Sequence, residues 1–382
     1  MSFRAKIPTE MVFGSGKLNR LHSLPIPGTK ALIVTSPGKS VITSGSLDKV
    51  LDGLTRAGIG CCVFNGAEAN PTAENVAAGV KKAKEEGCDL VIGLGGGSSM
   101  DCAKAIALMA KNEGEMWDYM FGITGGKKVP EGGALPIIAI PTTAGTGSEM
   151  NNCAVISNNE TKEKLGFVSD DIYPTLAVID PEVTLSVPPK FTAYQGFDAL
   201  FHACESVVHR KVHAYGYMHA MEAVELCGKY LERAVKDGSD LEAREGMSLA
   251  AALAGMYMLC TSEHAVEHAM SAFHPSLPHG AGLILVSKAY WQFVADSHTC
   301  DERLSEMAKA LGREDGDFAG ALTDLIKACG MDEIKMSDWG IAEEEIPEIA
   351  ANSRATMGVL FAGDPARPIV EDIEEILRKS FR

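Results

Sequence analysis

The chain has 382 residues, a length that suggests two domains at about 100–200 residues each. Its 46% hydrophobic and 23% charged residues describe an ordinary globular composition and exclude a disordered or fibrous one. Against 51 Asp and Glu there are 35 Lys and Arg, a net charge of −16, which argues against nucleic acid or an anionic membrane as partner because both repel an acidic surface. No apolar run approaches the ~20 residues that span a bilayer. The opening MSFRAKIPTEMVFGSGKL has no signal-peptide core, so the expected location is the cytoplasm.

The first half alternates short apolar runs with amphipathic stretches. ALIVTS (31–36) reads as a buried strand, followed by SLDKVLDGLTRAG with apolar residues at helical spacing. CCVFNG (61–66) is the next strand, and NPTAENVAAGVKKAKEEG opens on a turn and runs as a helix to Gly87. LVIGLGGG (90–97) enters a glycine loop ahead of the helix SSMDCAKAIALMA. LPIIAIPTT (135–143) and LAVIDP (176–181) complete a set that predicts a parallel, doubly wound sheet. Near SVPPK (186–190) two prolines interrupt the pattern, and the later sequence is Ala-, Met- and Leu-rich with helical spacing. The expected organisation is an α/β domain over 1–186 and an all-α domain over 187–382. The acidic run EEEIPEIA (343–350) reads as a solvated helix face. The ten cysteines show no CxxC spacing and read as small thiols in a reducing compartment.

Three groups of residues could carry chemistry. Gly95, Gly96, Gly97 and Ser98 stand between a strand and a helix. Glycines admit close approach of a ligand, and the free N–H groups at the helix start favour a phosphate. A tight turn needs one glycine, and three in succession exceed that need. PTTAGTGSEM (141–150) follows another strand and interleaves Thr142, Thr143, Thr146 and Ser148 with two glycines, a loop dense in donors and acceptors. In the helical half Asp198 and His202 are four apart and share a helix face, as do His264 and His268. His274 and His279 follow in FHPSLPHG, where two prolines force a loop. Clustered histidines with one carboxylate suit a divalent transition metal better than magnesium or calcium. Spacing alone does not separate His264, His268, His274 and His279. His22, His209, His213, His219 and His298 show no such grouping and read as surface or packing residues.

Taken together, GGGSSMDCAK, PTTAGTGSEM, GFDALFHACES and HAMSAFHPSLPHG resemble the iron-containing, or group III, alcohol dehydrogenases, and the resemblance runs from FGSGKL to the PARP segment. It implies a dehydroquinate synthase-like architecture, with an N-terminal nucleotide-binding domain, a C-terminal helical metal domain and an active site between them. It also implies a small alcohol or aldehyde as substrate, NAD or NADP as cofactor, and a homo-oligomer, most simply a dimer. The family's metal ligands, one Asp and three His, fall by this resemblance on Asp198, His202, His268 and His279, holding Fe²⁺, with Zn²⁺ admissible. Gly95 to Ser98 resemble the pyrophosphate site, with Asp101 one turn into the helix. Thr142, Thr143 and Thr146 resemble cofactor contacts, as does Lys164 in EKLGF, and Leu176 is expected to line the adenosine side.

Two departures from the family pattern carry expectations of their own. Many members have a further active-site histidine four residues after the third ligand. That position here is Ala272, so His274 is expected to take over proton handling. NAD-using members often place an Asp at the end of the first strand. Here Ser36 occupies that place and Lys39 follows, so NADP is admissible. The expected reaction is metal-assisted hydride transfer between a primary alcohol or aldehyde and the nicotinamide. The alternatives are a non-redox, dehydroquinate-synthase-like cyclase, which would expect a more basic cleft, and a non-catalytic nucleotide- or metal-binding module.

Overall fold

The Val- and Ile-rich runs become parallel strands because both of their faces find apolar cover. In the computed structural model, which describes residues 2–381, the strands are β1 (Glu10–Phe13), β2 (Lys30–Val34), β3 (Gly60–Phe64), β4 (Leu90–Gly95), β5 (Ile137–Pro141), β6 (Cys153–Asn158), β7 (Glu163–Val168) and β8 (Leu176–Ile179). Six of them form one all-parallel sheet in the order β1-β8-β5-β4-β2-β3. Alternate residues go to opposite faces. Ala31, Ile33, Leu90, Ile92, Leu94, Ile138 and Ile140 join one buried cluster with Leu18, Leu21, Val50 and Leu54. Leu32, Val34, Val91 and Ile137 join another with Val76, Ala83 and Ile106.

The helices of this half are α1 (Ser40–Thr43), α2 (Ser46–Ala57), α3 (Ala73–Glu86) and α4 (Gly97–Met109). The first face is therefore covered by α2 and the 3-10 turn Leu18–Ser23, and the second by α3 and α4. The doubly wound sheet expected from the sequence is what forms. Thr72 and Asn75 close a capping box at the start of α3, and Gly87 ends it with φ +64°, as the helical reading of 70–87 requires. β1 and the antiparallel hairpin β6–β7 had no expectation attached to them. The hairpin lies outside the main sheet, with α4 and α8 (Ser262–Phe273) packed against it.

The remaining helices are α5 (Pro189–Val208), α6 (Ala214–Lys236), α7 (Leu241–Met256), α9 (His279–Asp296), α10 (Asp301–Ala310), α11 (Phe318–Ala328), α12 (Ile346–Thr356), α13 (Gly358–Gly363) and α14 (Val370–Ser380). The prolines near 188 open a helix: Pro188 is the cap of α5 and Pro189 its first residue, a position where the missing N–H has no partner to lose. α5 is buried along most of its length against α6, α7 and α9. One apolar cluster runs from Leu32 and Ile106 through Phe197 and Leu200 to Ile376, so the sheet half and the helical half share a core.

Candidate active site

The chain runs from β2 to β3 at one edge, returns to β4 on the other side of β2 and continues through β5 toward the opposite edge, so the strand order reverses between β2 and β4. A crevice opens at such a reversal, beyond the carboxyl ends of the strands. Ser36 lies just past β2 and is partly exposed, and Gly95 ends β4. Gly95 has φ +147°, which a residue with a side chain rarely adopts. Gly96 caps α4 and no side chain caps the N–H groups of the helix start. A Cβ at Gly97 would lie 2.6 Å from Thr146 Cγ2, and one at Gly96 would lie 3.3 Å from Thr143 Cγ2. The two loops therefore lie against each other, pinned by Thr142 N–H donating to the Gly95 carbonyl at 2.9 Å.

Buried charge fixes the floor of this end. The Lys104 ammonium, with no solvent exposure, donates to Ser148 Oγ at 2.7 Å, Asn151 Oδ1 at 3.0 Å and the Cys153 carbonyl at 2.8 Å. Ser148 Oγ in turn donates to Asp101 Oδ1 at 2.6 Å, and Asp101 Oδ2 accepts from Val155 N–H at 2.9 Å. Burial pushes the Asp101 carboxyl up from its ordinary value, and Lys104 and Ser148 oppose that. Gly97, Ser98, Asp101, Thr146 and Lys164 line a cavity of about 520 Å³ that reaches His202, His264, His268 and His279 at its other end.

That other end is assembled from three helices. Asp198 and His202 lie one turn apart on α5, His264 is in the first turn of α8, and His279 is the first residue of α9. Around Asp198 Oδ1 stand His279 Nε2 at 3.4 Å, His202 Nδ1 at 3.5 Å and His264 Nε2 at 3.7 Å, and the four ligand atoms all lie within 4.8 Å of one another. Asp198 Oδ1, His202 Nδ1 and His264 Nε2 are buried with no hydrogen-bond partner. Leaving such atoms unpaired costs about 1–3 kcal/mol each, more for a charge, and a shared cation removes that cost. Three nitrogens and one carboxylate oxygen are the donor set of a transition-metal site, so these residues fit a divalent metal.

The electrostatics agree with that reading. Burial would raise the Asp198 carboxyl, yet His202 and His279 hold it well below the carboxylate range. Burial pushes His202 down to about 4. It also works against His264, but Glu205 and Asp198 hold that imidazole up to about 10. Glu205 contacts His264 Nδ1 and Glu267 contacts His279 Nδ1, while the Lys164 carbonyl contacts His268 Nδ1 at 3.1 Å. A carboxylate that takes the N–H of Nδ1 leaves the Nε2 lone pair free for a metal.

Several expected residues are placed differently. His264, not His268, completes the group around Asp198. The two are one turn apart on α8, and His268 lies a turn further on, beneath β7. His268 lines the cavity without joining the four. His274 is not brought to the cleft: it caps α8, and its Nε2 bonds Glu345 Oε2 at 3.0 Å, so the loop and the acidic run 343–350 tie each other down. Leu176 opens β8 at the amino ends of the strands, 1% exposed in the sheet core, and offers the crevice no surface. Lys164 lines the cavity, but its ammonium is taken by Glu267 Oε2 at 3.2 Å and Ser271 Oγ at 2.9 Å. Glu205 and Glu267 carried no expectation. Their signal was present, since Glu205 follows Asp198 and His202 at i+7 and i+3 on an otherwise apolar helix, and Glu267 stands three residues after His264.

Comparison with known proteins gives a consistent picture. Residues 8–181 match the family described as iron-containing alcohol dehydrogenase, and residues 192–381 match the C-terminal domain of the Fe-containing alcohol dehydrogenase family. The chain is 34% identical over 381 residues to alcohol dehydrogenase 4 of Schizosaccharomyces pombe, covering 98% of this chain and 88% of that protein. It is 32% identical over 402 residues to the NADH-dependent butanol dehydrogenase A of Clostridium acetobutylicum, covering all of both. Its fold is similar to that of a crystallised archaeal halo-thermophilic alcohol dehydrogenase from a Red Sea brine pool, with a TM-score of 0.91 and 33% identity over 100% of this chain and 99% of that one.

Proposed function

The chain belongs to the iron-containing alcohol dehydrogenase family, and from that premise we propose that it transfers a hydride reversibly between a nicotinamide cofactor and a small primary alcohol, diol or aldehyde. The observation that carries the proposal is the convergence of Asp198, His202, His264 and His279 on one space, with the ligand atoms of the first three buried and unpaired, in a cavity that a glycine loop at a helix start also lines. When bound, the metal supplies a Lewis acid to the substrate oxygen, and the nicotinamide supplies or accepts the hydride.

The chain's own residues do the rest. The α4 N–H groups and helix dipole would hold the pyrophosphate. Ser98, Thr143 and Thr146 would supply polar contacts to it, and Ser36 would serve the adenosine ribose. Asp101 and Lys104 hold the loop 147–153 in place. His268 keeps its Nδ1–H on the Lys164 carbonyl, which leaves Nε2 as the acceptor of the alcohol proton inside the cavity. This is the role first expected of His274. Met258, Leu259, Met357, Val359 and Leu360 give the wall near the metal an apolar character that suits a small neutral substrate. A non-redox cyclase acting on a multiply charged acid would need free basic groups. The cavity lining carries Lys164 and Lys211, and the first is paired.

The donor set serves Fe²⁺ or Zn²⁺, and the proposal names iron on the family's account. Ser36 lacks the carboxylate that would repel a 2′-phosphate, which supports NADP(H) as well as NAD(H). A cytoplasmic homodimer belongs to the same proposal and rests on the family resemblance. Among the described residues no helix is long and apolar enough to cross a membrane. The deciding experiment supplies purified protein with Fe²⁺ or Zn²⁺, NADH or NADPH, and a panel of short aldehydes. Loss of nicotinamide absorbance is expected, and no turnover with any aldehyde, cofactor and metal would overturn the proposal.

A further inference from the structure

Lys164 reaches two of the imidazoles at the metal end of the cavity, one with each of its ends. Its ammonium, on a side chain 6% exposed, donates to Glu267 Oε2 at 3.2 Å and Ser271 Oγ at 2.9 Å, and that same Glu267 oxygen meets His279 Nδ1. Its backbone carbonyl accepts from His268 Nδ1 at 3.1 Å. Lys164 belongs to the β6–β7 hairpin, whereas Glu267 and His268 lie on α8 and His279 begins α9. We propose that Lys164 and Glu267 form a positioning pair that clamps His279 in the tautomer and orientation required for metal binding, and that Lys164 serves the cofactor only secondarily. The inference rests on the metal reading given above.

Three features carry it. First, a carboxylate accepting the Nδ1–H of His279 fixes the proton on that nitrogen and turns the Nε2 lone pair toward Asp198 Oδ1, 3.4 Å away. Second, neither partner could stay buried alone. Glu267 has no solvent exposure, and an unpaired buried charge is strongly destabilising, so the ammonium and carboxylate hold each other in place. Third, the carboxylate is confined. A Cβ at Gly282 of α9 would lie 2.8 Å from Glu267 Cγ, so only glycine leaves room for it there, and Glu267 Oε1 is buried without a partner while Oε2 carries both contacts. Glu267, His268 and His279 have the composition of a second metal site. The Lys164 ammonium already sits on that carboxylate and would repel a second cation, so the group works as a clamp.

The test uses the full-length protein stripped of metal, with Zn²⁺ affinity measured by competition against a chromophoric chelator and the visible spectrum recorded with Co²⁺. Glu267→Ala is expected to bind Zn²⁺ about 10–100-fold more weakly, with shifted Co²⁺ bands. Glu267→Gln keeps an oxygen that can accept from Nδ1–H and is expected to recover most of that loss. Lys164→Met is expected to weaken Zn²⁺ binding and shift the bands while changing the nicotinamide cofactor's dissociation constant less. Wild-type affinity and an unshifted spectrum in Glu267→Ala overturn the proposal, as does a Gln variant no better than Ala. Should Glu267→Ala fail to fold, the same unchanged readings in Lys164→Met overturn it. Wild-type protein that takes up no stoichiometric Zn²⁺ overturns the metal reading instead, and that result is distinct from all of these.

Discussion

His264 and His268 stand one turn apart on α8, and that turn separates two roles. His264 points its Nε2 into the group around Asp198, with Glu205 on its other nitrogen. His268 hangs from the Lys164 carbonyl in the cavity wall. His264→Ala is therefore expected to lose both bound metal and activity. His268→Ala is expected to keep stoichiometric metal while turnover falls about 10²–10⁴-fold. Metal analysis beside turnover separates the two, and loss of metal in the His268 variant with retention in the His264 variant would reverse the assignment. On the proposed reading, Ser36 bears on cofactor choice by what it lacks. Ser36→Asp places a carboxylate where a 2′-phosphate would sit, and the ratio of kcat/KM for NADH over NADPH is expected to rise by at least tenfold. Spacing gathered His202, His264, His268 and His279, which line one cavity, because i,i+4 spacing is a local property, and it gathered His274, which does not. It could not separate His264 from His268, because what separates them is the position of α8 relative to α5 and β7.

At the scale of elements, the loop 142–153 is held from below by buried charges, and one of them has a cost that depends on pH. Glu149 is 2% exposed, and burial pushes its carboxyl up to about 7. A carboxyl that binds its proton more tightly in the folded chain than in the unfolded one contributes its full stability below its ordinary pKa of 4.5 and loses it as pH rises toward 7. Glu149→Gln carries no such charge. The variant is expected to match wild type near pH 4.5 and to gain on it as pH rises. Above pH 7 the gap should level off near 3 kcal/mol, at about 1.4 kcal/mol per pKa unit. Thermal unfolding of both proteins between pH 4.5 and 8.5 measures it, and parallel curves would contradict it. The strands β2, β4, β5 and β8 were legible because their apolar runs are continuous and buried on both faces, and the edge strand β3, only half-buried, was legible from its apolar run CCVF. The hairpin β6–β7 was not, since the stretch SNNETKEK (157–164), which holds the turn and the adjoining ends of both strands, is polar and its apolar partners are helices distant in sequence. The reading of 343–350 as a solvated face missed Glu345, whose contact with His274 spans 71 residues.

For the molecule as a whole, metal and fold are expected to be linked. Asp198, Glu205 and Glu267 are three buried carboxylates, the Lys164 ammonium pairs with Glu267 alone, and a divalent cation at the Asp198 group adds positive charge where these carboxylates gather. Removing the metal with a chelator is expected to lower the Tm by about 5 °C, the effect of ligand at about a thousand times its Kd on a chain of this length. His264→Ala should be indifferent to the chelator. A wild-type Tm unmoved by metal removal would break the link. The sequence by itself determined the parallel α/β half, the helical half, the glycine loop and the Asp198–His202 pair, because each is written in spacing over a few turns or one strand, and its four motifs carried the resemblance to the family. Tertiary structure decided that His264 completes the group around Asp198, that His274 is bound to Glu345, that Leu176 is core, and that Lys164 faces Glu267. Each of those outcomes depends on how two or three elements far apart in the chain pack together, and hydrophobic spacing within a segment fixes which face is buried without fixing what it is buried against.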